Sequence, residues 1–551
     1  MRHLLHILLS LLLISHIAVG QSFYVDSTRF ITGFHCCTFI YNAIPTKDKG
    51  IFFNGSDNGH PGGMIPEFPA NISINDNLMV GKIDSEAHIC WIKIYGSSSY
   101  SRAIASCQTT DGGFAVLGNV NTGGGDVTGF HGLNDIWLVR LDSAGYLLWE
   151  KCFGSSVGSS NSISIANTLD NGFIILGSTN GSNDDVPFHY GSYFSTDWLV
   201  IKTDSLGNKQ WSKDLGGTGD EATGQGMFSG SILTAPAAIG GYYLVSSSTS
   251  TDYDCNDSSW HSSSASTNSN YYILKLDTAG NVKWAKSYGG TWEDDISNAI
   301  FDTRDNTIVM TGFSTSTDYI EAGLQHGEGD MLTIKIDTGG NIIWHKSIGG
   351  PSQDIGTSII PGPANGYVIY GSTFPYPDTT MGDVGQTDAW IISIDSNGNV
   401  NFEKIFGTVN DELPTSVLPF SNGYVGTGAS SNTVSPNLIF SEGTTYGNFD
   451  TTGGAFVSYI NFIPVNVHNS IYNSFSYMEI FPNPTIDNFI LTTNTYIAKK
   501  IVITDAIGNI ILNSQFYNKT QVSVKGWQKG LYLVKITDET GYYEIQKLIV
   551  N

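Results

Sequence analysis

One pattern recurs six times along this chain: an Asp-aromatic-aliphatic run, an Asp-x-x-Gly turn, a Trp-x-Lys and a Gly-rich break. The clearest copies start at Asp135, Asp197, Asp330 and Asp388, with variants at Asn77 and Asn270. The turn aspartates are Asp84, Asp142, Asp204, Asp277, Asp337 and Asp395, about 60 residues apart, the period of a four-stranded unit. A repeat of that size means an array of small sheets. It constrains the architecture far more than the chemistry.

Each copy reads as four strands. In the second, Ala103 to Gln108 leads through Asp111-Gly112-Gly113 to Phe114 to Gly118, then a long loop, Ile136 to Leu141, the Asp142 to Gly145 turn, and Leu147 to Phe153. Aspartate caps such a turn and glycine takes the left-handed backbone that closes it. Third strands such as Ile136-Trp137-Leu138-Val139 are apolar on both faces, so they are covered on both sides, as between stacked blades. Counting second-strand turns, from Asp48-Lys49-Gly50 to Asn422-Gly423, gives seven units. The last lacks its fourth strand, while Phe23 to Phe30 precedes the first with nothing to pair. The expectation is an all-β, seven-bladed propeller over 21–463 whose N-terminal strand completes the last blade, with an open β-solenoid as the alternative.

Bulk properties set the compartment. Arg2, the apolar run Leu4 to Ile17 and Ala18-Val19-Gly20 read as a signal peptide over 1–20, and no later run is long enough for a transmembrane segment. The 551 residues carry a net charge of −24. From Glu479 onward there are seven Lys and six acidic residues, so 21–478 carries 18 basic against 44 acidic residues, a net −26. Such a surface repels phosphate backbones, which excludes nucleic acid and leaves cations, glycans or proteins as partners. Six cysteines lack CxxC spacing, and Cys36, Cys37, Cys90, Cys107 and Cys152 favour local stapling in the first two repeats.

After a linker over 464–478, residues 479–551 form a second small β domain, expected as an Ig-like sandwich. Four blocks stand out: Phe481-Pro482-Asn483-Pro484, Ile501 through Asp505 to Gly508, Gly530-Leu531-Tyr532 through Ile536, and Lys547-Leu548-Ile549-Val550. In order and spacing they resemble the type A sorting domain of proteins exported by the type IX secretion system of Gram-negative bacteria. The resemblance implies that Pro482, Asn483, Pro484, Asp505, Gly508, Gly530, Tyr532 and Lys547 carry a sorting signal. It also implies that the type IX machinery is a partner and that the protein ends secreted or attached to the outer surface. The stretch Gly125-Asp126-Val127-Thr128-Gly129-Phe130-His131 through Trp137 is likewise similar to propeller-type repeats common in such cargo.

Candidate site residues follow from what breaks the repeat. Trp91, Trp149, Trp211, Trp284 and Trp344 recur once per unit and read as packing between blades, whereas Trp260 and Trp292 lie in loops and are candidate ligand contacts. His60, His131, His189, His261 and His326 recur in the long loops and read as loop-pinning residues spread around a ring, with His131 and His189 also candidate ligand contacts. Asp252, Asp254 and Asp257 form the densest acidic cluster, a possible calcium site, and no other cofactor is expected. Asp220-Glu221, Asp294-Asp295, Asp354 and Asp411-Glu412 follow the Gly-rich breaks and read mainly as turn caps. No nucleophile elbow, HExxH or phosphate-binding loop occurs. The function expected is a surface or secreted binding module for glycan or protein, with a polysaccharide-degrading propeller hydrolase or lyase as the alternative.

Overall fold

The computed structural model describes residues 21–31, 39–57, 76–222 without 87, 230–256, 268–374 without 322 and 325, 387–406, 411–420, 423–430, 454–464 and 478–551. Within the last range, 482, 494–498, 506–507, 517–518 and 538–542 are not described. The expected leader, residues 1–20, lies outside these residues, as do Cys36 and Cys37. The chain divides into two units, Met1–Val465 and Asn466–Asn551.

In the first unit the strands form seven four-stranded antiparallel sheets. Six are consecutive meanders. The first holds Phe39–Pro45, Ile51–Asp57, Asn77–Ile83 and Ile89–Tyr95. The seventh takes Glu412–Phe420, Gly423–Ser430 and Gly454–Pro464, then adds Gln21–Ile31 as its fourth strand. The added strand runs antiparallel to its neighbour from Gln21 opposite Pro464 to Ile31 opposite Ala455. The two ends of the array also touch directly. The N–H of Ala43 donates to Oγ of Ser416 at 3.2 Å, and Oγ1 of Thr415 donates to the Ile40 carbonyl at 3.0 Å. The array is therefore a closed ring, and the open solenoid is excluded.

A repeated device joins the sheets. In six of the seven first strands the register slips by one residue: between Ile40 and Asn42, Ala103 and Ala105, Ser162 and Ser164, Ile296 and Asn298, Gly356 and Ser358, and Pro414 and Ser416. Such a bulge re-aims the residue after it. That residue is usually a short polar one, and its side chain accepts a hydrogen bond from the first strand of the next sheet. Ser164 takes the N–H of Ile232, Asn298 that of Ile359, Ser358 that of Val417 and Ser416 that of Ala43, all at 3.2 or 3.3 Å. Ser231 does the same for Ala299 at 3.0 Å, and Asn42 accepts from the hydroxyl of Ser106 at 2.9 Å. Ala105 has nothing to offer, and Asn119 on the adjacent strand serves Ser162 instead, at 2.7 Å.

Apolar packing fills the seams. Third strands such as Asp135–Leu141 and Asp197–Thr203 are buried along their whole length. Core clusters cross from sheet to sheet, with Phe52 and Val80 of the first packed on Phe114 and Trp137 of the second. Fourth-strand indoles cover the Asp-x-x-Gly turn of the following sheet: Trp149 lies on Gly207 and Trp211 on Gly280. Within that turn the aspartate caps as expected; Oδ1 of Asp277 accepts the N–H groups of Ala279 and Asn281 at 3.0 and 2.9 Å. The lysines two residues after the indoles meet amides and carbonyls there rather than carboxylates, Lys286 reaching the Gly340 carbonyl and Oδ1 of Asn341 at 3.1 Å.

The two faces differ. Tight turns gather on one, tied to the third strand by Arg140–Asp111, Lys202–Asp170 and Lys335–Asp305 at 2.6, 2.9 and 2.6 Å. On the other, the described long loops pair with the sheet-to-sheet connections: Asp126 N–H with the Gly96 carbonyl, Asp185 with Gly154, and Asp254 with Gly216, at 2.8 to 3.1 Å. The stapling expected in the early repeats is not found among the described cysteines. Cys90, Cys107 and Cys152 are free thiols, as is Cys255. Cys107 instead faces the next sheet and donates to Oδ1 of Asn167 at 3.5 Å.

The second unit packs a three-stranded sheet (Met478–Phe481, Asn488–Thr493, Lys519–Ser523) on a four-stranded one (Ile510–Phe516, Lys499–Asp505, Gly530–Thr537, Tyr543–Val550). Phe489, Leu491 and Val522 from one sheet share a core with Ile501, Ile503, Val534 and Leu548 from the other.

The turn glycines give a test of seam packing. Gly112 has φ +88° with nothing within 4 Å of an added Cβ, whereas Gly280 has φ +80° and its Cβ would stand 2.8 Å from the Trp211 indole. Gly112→Ala is expected to cost about 1–2 kcal/mol of backbone strain. Gly280→Ala adds overpacking of about 1–3 kcal/mol. Urea unfolding of both variants measures the difference; equal losses would show that the indole does not hold the seam.

Candidate functional site: a carboxylate seam

Where one sheet's third strand begins, the start of the next sheet's first strand lies beside it, or, for the fourth sheet, the bridge residue Glu221 that precedes Ser231–Thr234. Both positions are rich in acids: Asp197 meets Glu221, and Asp330 meets Asp354. The glycine of the break lies between each pair. A Cβ at Gly349 would stand 2.5 Å from Oδ1 of Asp330 and 2.7 Å from Oδ2 of Asp354. At Gly216 the distances are 2.6 Å to Oε2 of Glu221 and 2.9 Å to Oδ1 of Asp197. Glycine is thus required there because a side chain would displace the carboxylates.

Histidines in the long loops pin to the same strand ends. Nδ1 of His131 lies 2.8 Å from Asp135, Nδ1 of His189 2.9 Å from Asp197, and Nδ1 of His326 3.1 Å from Asp330. His131 also reaches Asp185 in the third sheet's loop, its Nε2 4.0 Å from Oδ2. His60 and His261 lie outside the described residues.

The seam between the third and fourth sheets is the most loaded. It brings together His189 and Tyr190 from the third sheet's long loop, Asp197, Asp214 at the end of the fourth strand, Glu221, and Asp254 with Cys255 from the fourth sheet's loop. Asp214 is 7 % exposed and Glu221 1 %. Burial pushes the carboxyls of Asp197, Asp214 and Glu221 up, and the charges of the others push Asp214 and Glu221 further. The donors present are few. Asp197 Oδ2 accepts the N–H of Tyr190 at 2.6 Å, and Glu221 Oε1 accepts the Ser248 hydroxyl at 2.9 Å. Asp197 Oδ1, both oxygens of Asp214, Glu221 Oε2 and Asp254 Oδ2 are buried without a hydrogen-bond donor.

Other expected site residues have separate places. Asp252 is engaged by Thr218, whose N–H and hydroxyl both donate to it at 2.8 Å. It therefore faces away from the cluster that Asp254 joins, and Asp257 and Trp260 lie outside the described residues. Trp292 is 56 % exposed on the connection between the fourth and fifth sheets, its backbone N–H donating to Ser316 at 3.0 Å. Asp214 was not singled out from sequence. Its signal is positional: the corresponding fourth-strand residues are Ile94, Cys152, Ser287, Ser347 and Ile405, all uncharged.

Seams elsewhere predict a pH response. Asp294 accepts Gly290 N–H and the Ser316 hydroxyl at 2.8 Å and also the Ser314 hydroxyl, with Asp318 and Glu321 nearby. Burial still lifts it to about 6, as it does Asp354, and lifts Glu321 to about 7. In the unfolded chain these groups ionise near 4. The folded state therefore holds protons that the unfolded state releases, and the stability they contribute is lost as pH rises through 6 to 7. The melting temperature is expected to be higher at pH 5.5 than at pH 8, with a smaller difference in Asp294→Asn. A melting temperature that climbs steadily to pH 8 would contradict this.

Comparison with known proteins bears on the second unit. An endo-acting ulvan lyase from Formosa agariphila is 36 % identical over 76 residues, which is 13 % of this chain and 15 % of that protein. The chain thus spans a small part of that relative. Among solved structures, a fungal alcohol oxidase in complex with copper shows 10 % identity over 97 % of this chain and 100 % of its own, with a TM-score of 0.39. A protein of unknown function from Dyadobacter fermentans shows 9 % identity over 80 % and 99 %, with a TM-score of 0.37. Likenesses at that level carry no functional weight. Among the described residues no helix is long and apolar enough to cross a membrane. In the second unit, Asn483 bridges to the last strand, its Nδ2 donating to the Lys547 carbonyl at 2.6 Å and its Oδ1 accepting the Ile549 N–H at 2.9 Å. Asp505 closes its turn on Asn509 with Gly508 at φ +93°, and the Tyr532 hydroxyl donates to the Gln528 carbonyl at 2.7 Å just before Gly530. Pro484 follows Asn483, and Pro482 lies outside the described residues. Residues 479–551 match the secretion system C-terminal sorting domain, the address by which type IX secretion delivers a protein to the medium or to the outer-membrane surface.

Proposed function

We propose that the ring is an extracellular binding module for neutral glycans, working through the face that carries the long loops. The observation behind this reading is a row of aromatic rings on that face. Phe188 meets Tyr190 edge-on at 4.9 Å, and Tyr190 meets Tyr253 at 4.7 Å, joining loops of the third and fourth sheets. Phe188, Tyr193, Phe194 and Tyr253 are more than half exposed, and Trp292 and Tyr319 stand equally open on the loops that follow. Exposed rings held by a rigid scaffold offer flat apolar faces that sugar rings can cover, with polar atoms at their edges. The net −26 of residues 21–478 favours neutral ligands over polyanions.

The competing reading, a polysaccharide hydrolase or lyase, needs two carboxyl groups that substrate can reach. Asp197, Asp214 and Glu221 beside the aromatic row are sealed in the seam, and Asp254 is half-buried against Tyr190. The length shared with the ulvan lyase is close to that of the sorting domain, so that likeness supports export rather than chemistry.

Glycan-array screening followed by titration of the neutral hit tests the proposal. Tyr253→Ala and Phe188→Ala are each expected to weaken binding about tenfold or more with an unchanged melting temperature. Binding to no neutral glycan, or binding that ignores both substitutions, would end the reading. Release of reducing ends from the bound polysaccharide would replace it with the enzyme.

A further inference from the structure

We propose that the seam between the third and fourth sheets holds one divalent cation of the zinc or manganese kind, bound by Nδ1 of His189 and the carboxylates of Asp197, Asp214 and Glu221. Three independent features carry this.

The first is convergence. One ligand atom each from His189, Asp197 and Asp214 lies within 4.8 Å of the others. Glu221 turns Oε2 toward the same space as Oδ1 of Asp197, across the glycine that leaves it open.

The second is the orientation of the imidazole. Nε2 of His189 lies 3.0 Å from the Ser192 carbonyl, which can only accept, so Nε2 carries a proton. In the neutral ring Nδ1 is then a lone pair, and it points at a carboxylate oxygen 2.9 Å away. A nitrogen so placed against a carboxylate takes either a proton, as in a His–Asp ion pair, or a metal ion, and here a second carboxylate, Asp214, stands 4.0 Å away on the same side. A ring nitrogen fixed by a backbone carbonyl on its far side is how proteins orient a metal-binding histidine. The His189 side chain is 9 % exposed, and neither oxygen of Asp214 has a donor.

The third is an internal control. At the seam between the fifth and sixth sheets, the residue in Asp214's place is Ser347, whose hydroxyl donates to Asp330 at 2.9 Å. Oδ2 of that carboxylate is served by a neutral donor, while its Oδ1 is buried without one. In the third sheet that donor is replaced by a third carboxylate, which adds to the buried negative charge instead of relieving it. Such charge is costly unless paired. One imidazole with several carboxylates suits zinc or manganese better than calcium, which takes six to eight oxygens. The ion would fasten the 180–196 loop to the fourth sheet.

Metal analysis of the full chain tests this. After EDTA treatment, separate dialysis against Zn²⁺, Mn²⁺ and Ca²⁺ and removal of excess, one equivalent of zinc or manganese is expected to remain. It should raise the melting temperature. Asp214→Ser copies the seam of the fifth sheet and should fold, yet retain no metal and show no metal-dependent melting. His189→Ala should weaken retention about a hundredfold. Loss of all three cations from the native chain, retention of calcium alone, or equal retention by Asp214→Ser would overturn the assignment.

Discussion

The ring rests on one hydrogen bond made over and over. A first strand has a sheet partner on one side only, and where it approaches the next sheet a backbone N–H would be buried without an acceptor. Leaving such a donor unpaired costs about 1–3 kcal/mol. In most first strands a bulge lifts a serine or asparagine into reach, and Ser231 and Asn119 serve where it does not, so each sheet satisfies its successor. The geometry is directional, each sheet handing an acceptor to the next, and the last to the first. Ala105 shows that the bond is required even where the residue is not, because Asn119 supplies the acceptor from the neighbouring strand.

Drawing the sheets together in this way fixes what stands opposite what. The start of every third strand meets the start of the next first strand, whichever residues occupy them. Where the pair is Asp135 and Ser160 the seam is mild; where it is Asp330 and Asp354, or Asp197 and Glu221, two carboxylates share a small space. The fold is carried by what repeats, and any distinct chemistry must come from what does not. Asp214 is such a departure, a carboxylate at a position that elsewhere holds Ile94, Cys152, Ser287, Ser347 or Ile405.

Local features of the fold were legible in the residues. Each Asp-x-x-Gly turn closes within five residues, and in most copies an indole follows at constant spacing, so both could be read without coordinates, though that indole covers the next sheet's turn. Histidine pinning was equally local, since His131 and His326 lie four residues before the aspartates they contact. The loaded seam was not legible, because Asp214, Glu221 and Asp254 come from different strands and loops. Sequence proximity even misled: Asp252 and Asp254 are two residues apart, yet one turns to Thr218 and the other to Tyr190 and Gly216. The bulge was hidden too, for a one-residue slip leaves no mark in a run such as Ser160–Asn167.

Closure by the first strand has a physical consequence for how the protein is made. The seventh sheet lacks its outer strand until Gln21–Ile31 meets Gly454–Pro464, a contact between residues more than 400 positions apart. Contacts that distant carry a large loop-closure cost and form late. Until then the edge of Gly454–Pro464 presents unpaired backbone groups of the kind that recruit other strands. The acidic surface of residues 21–478 opposes that by keeping unfinished chains apart through like-charge repulsion. The charge that opposes phosphate backbones thus also serves a chain whose last edge is sealed only when its two ends meet.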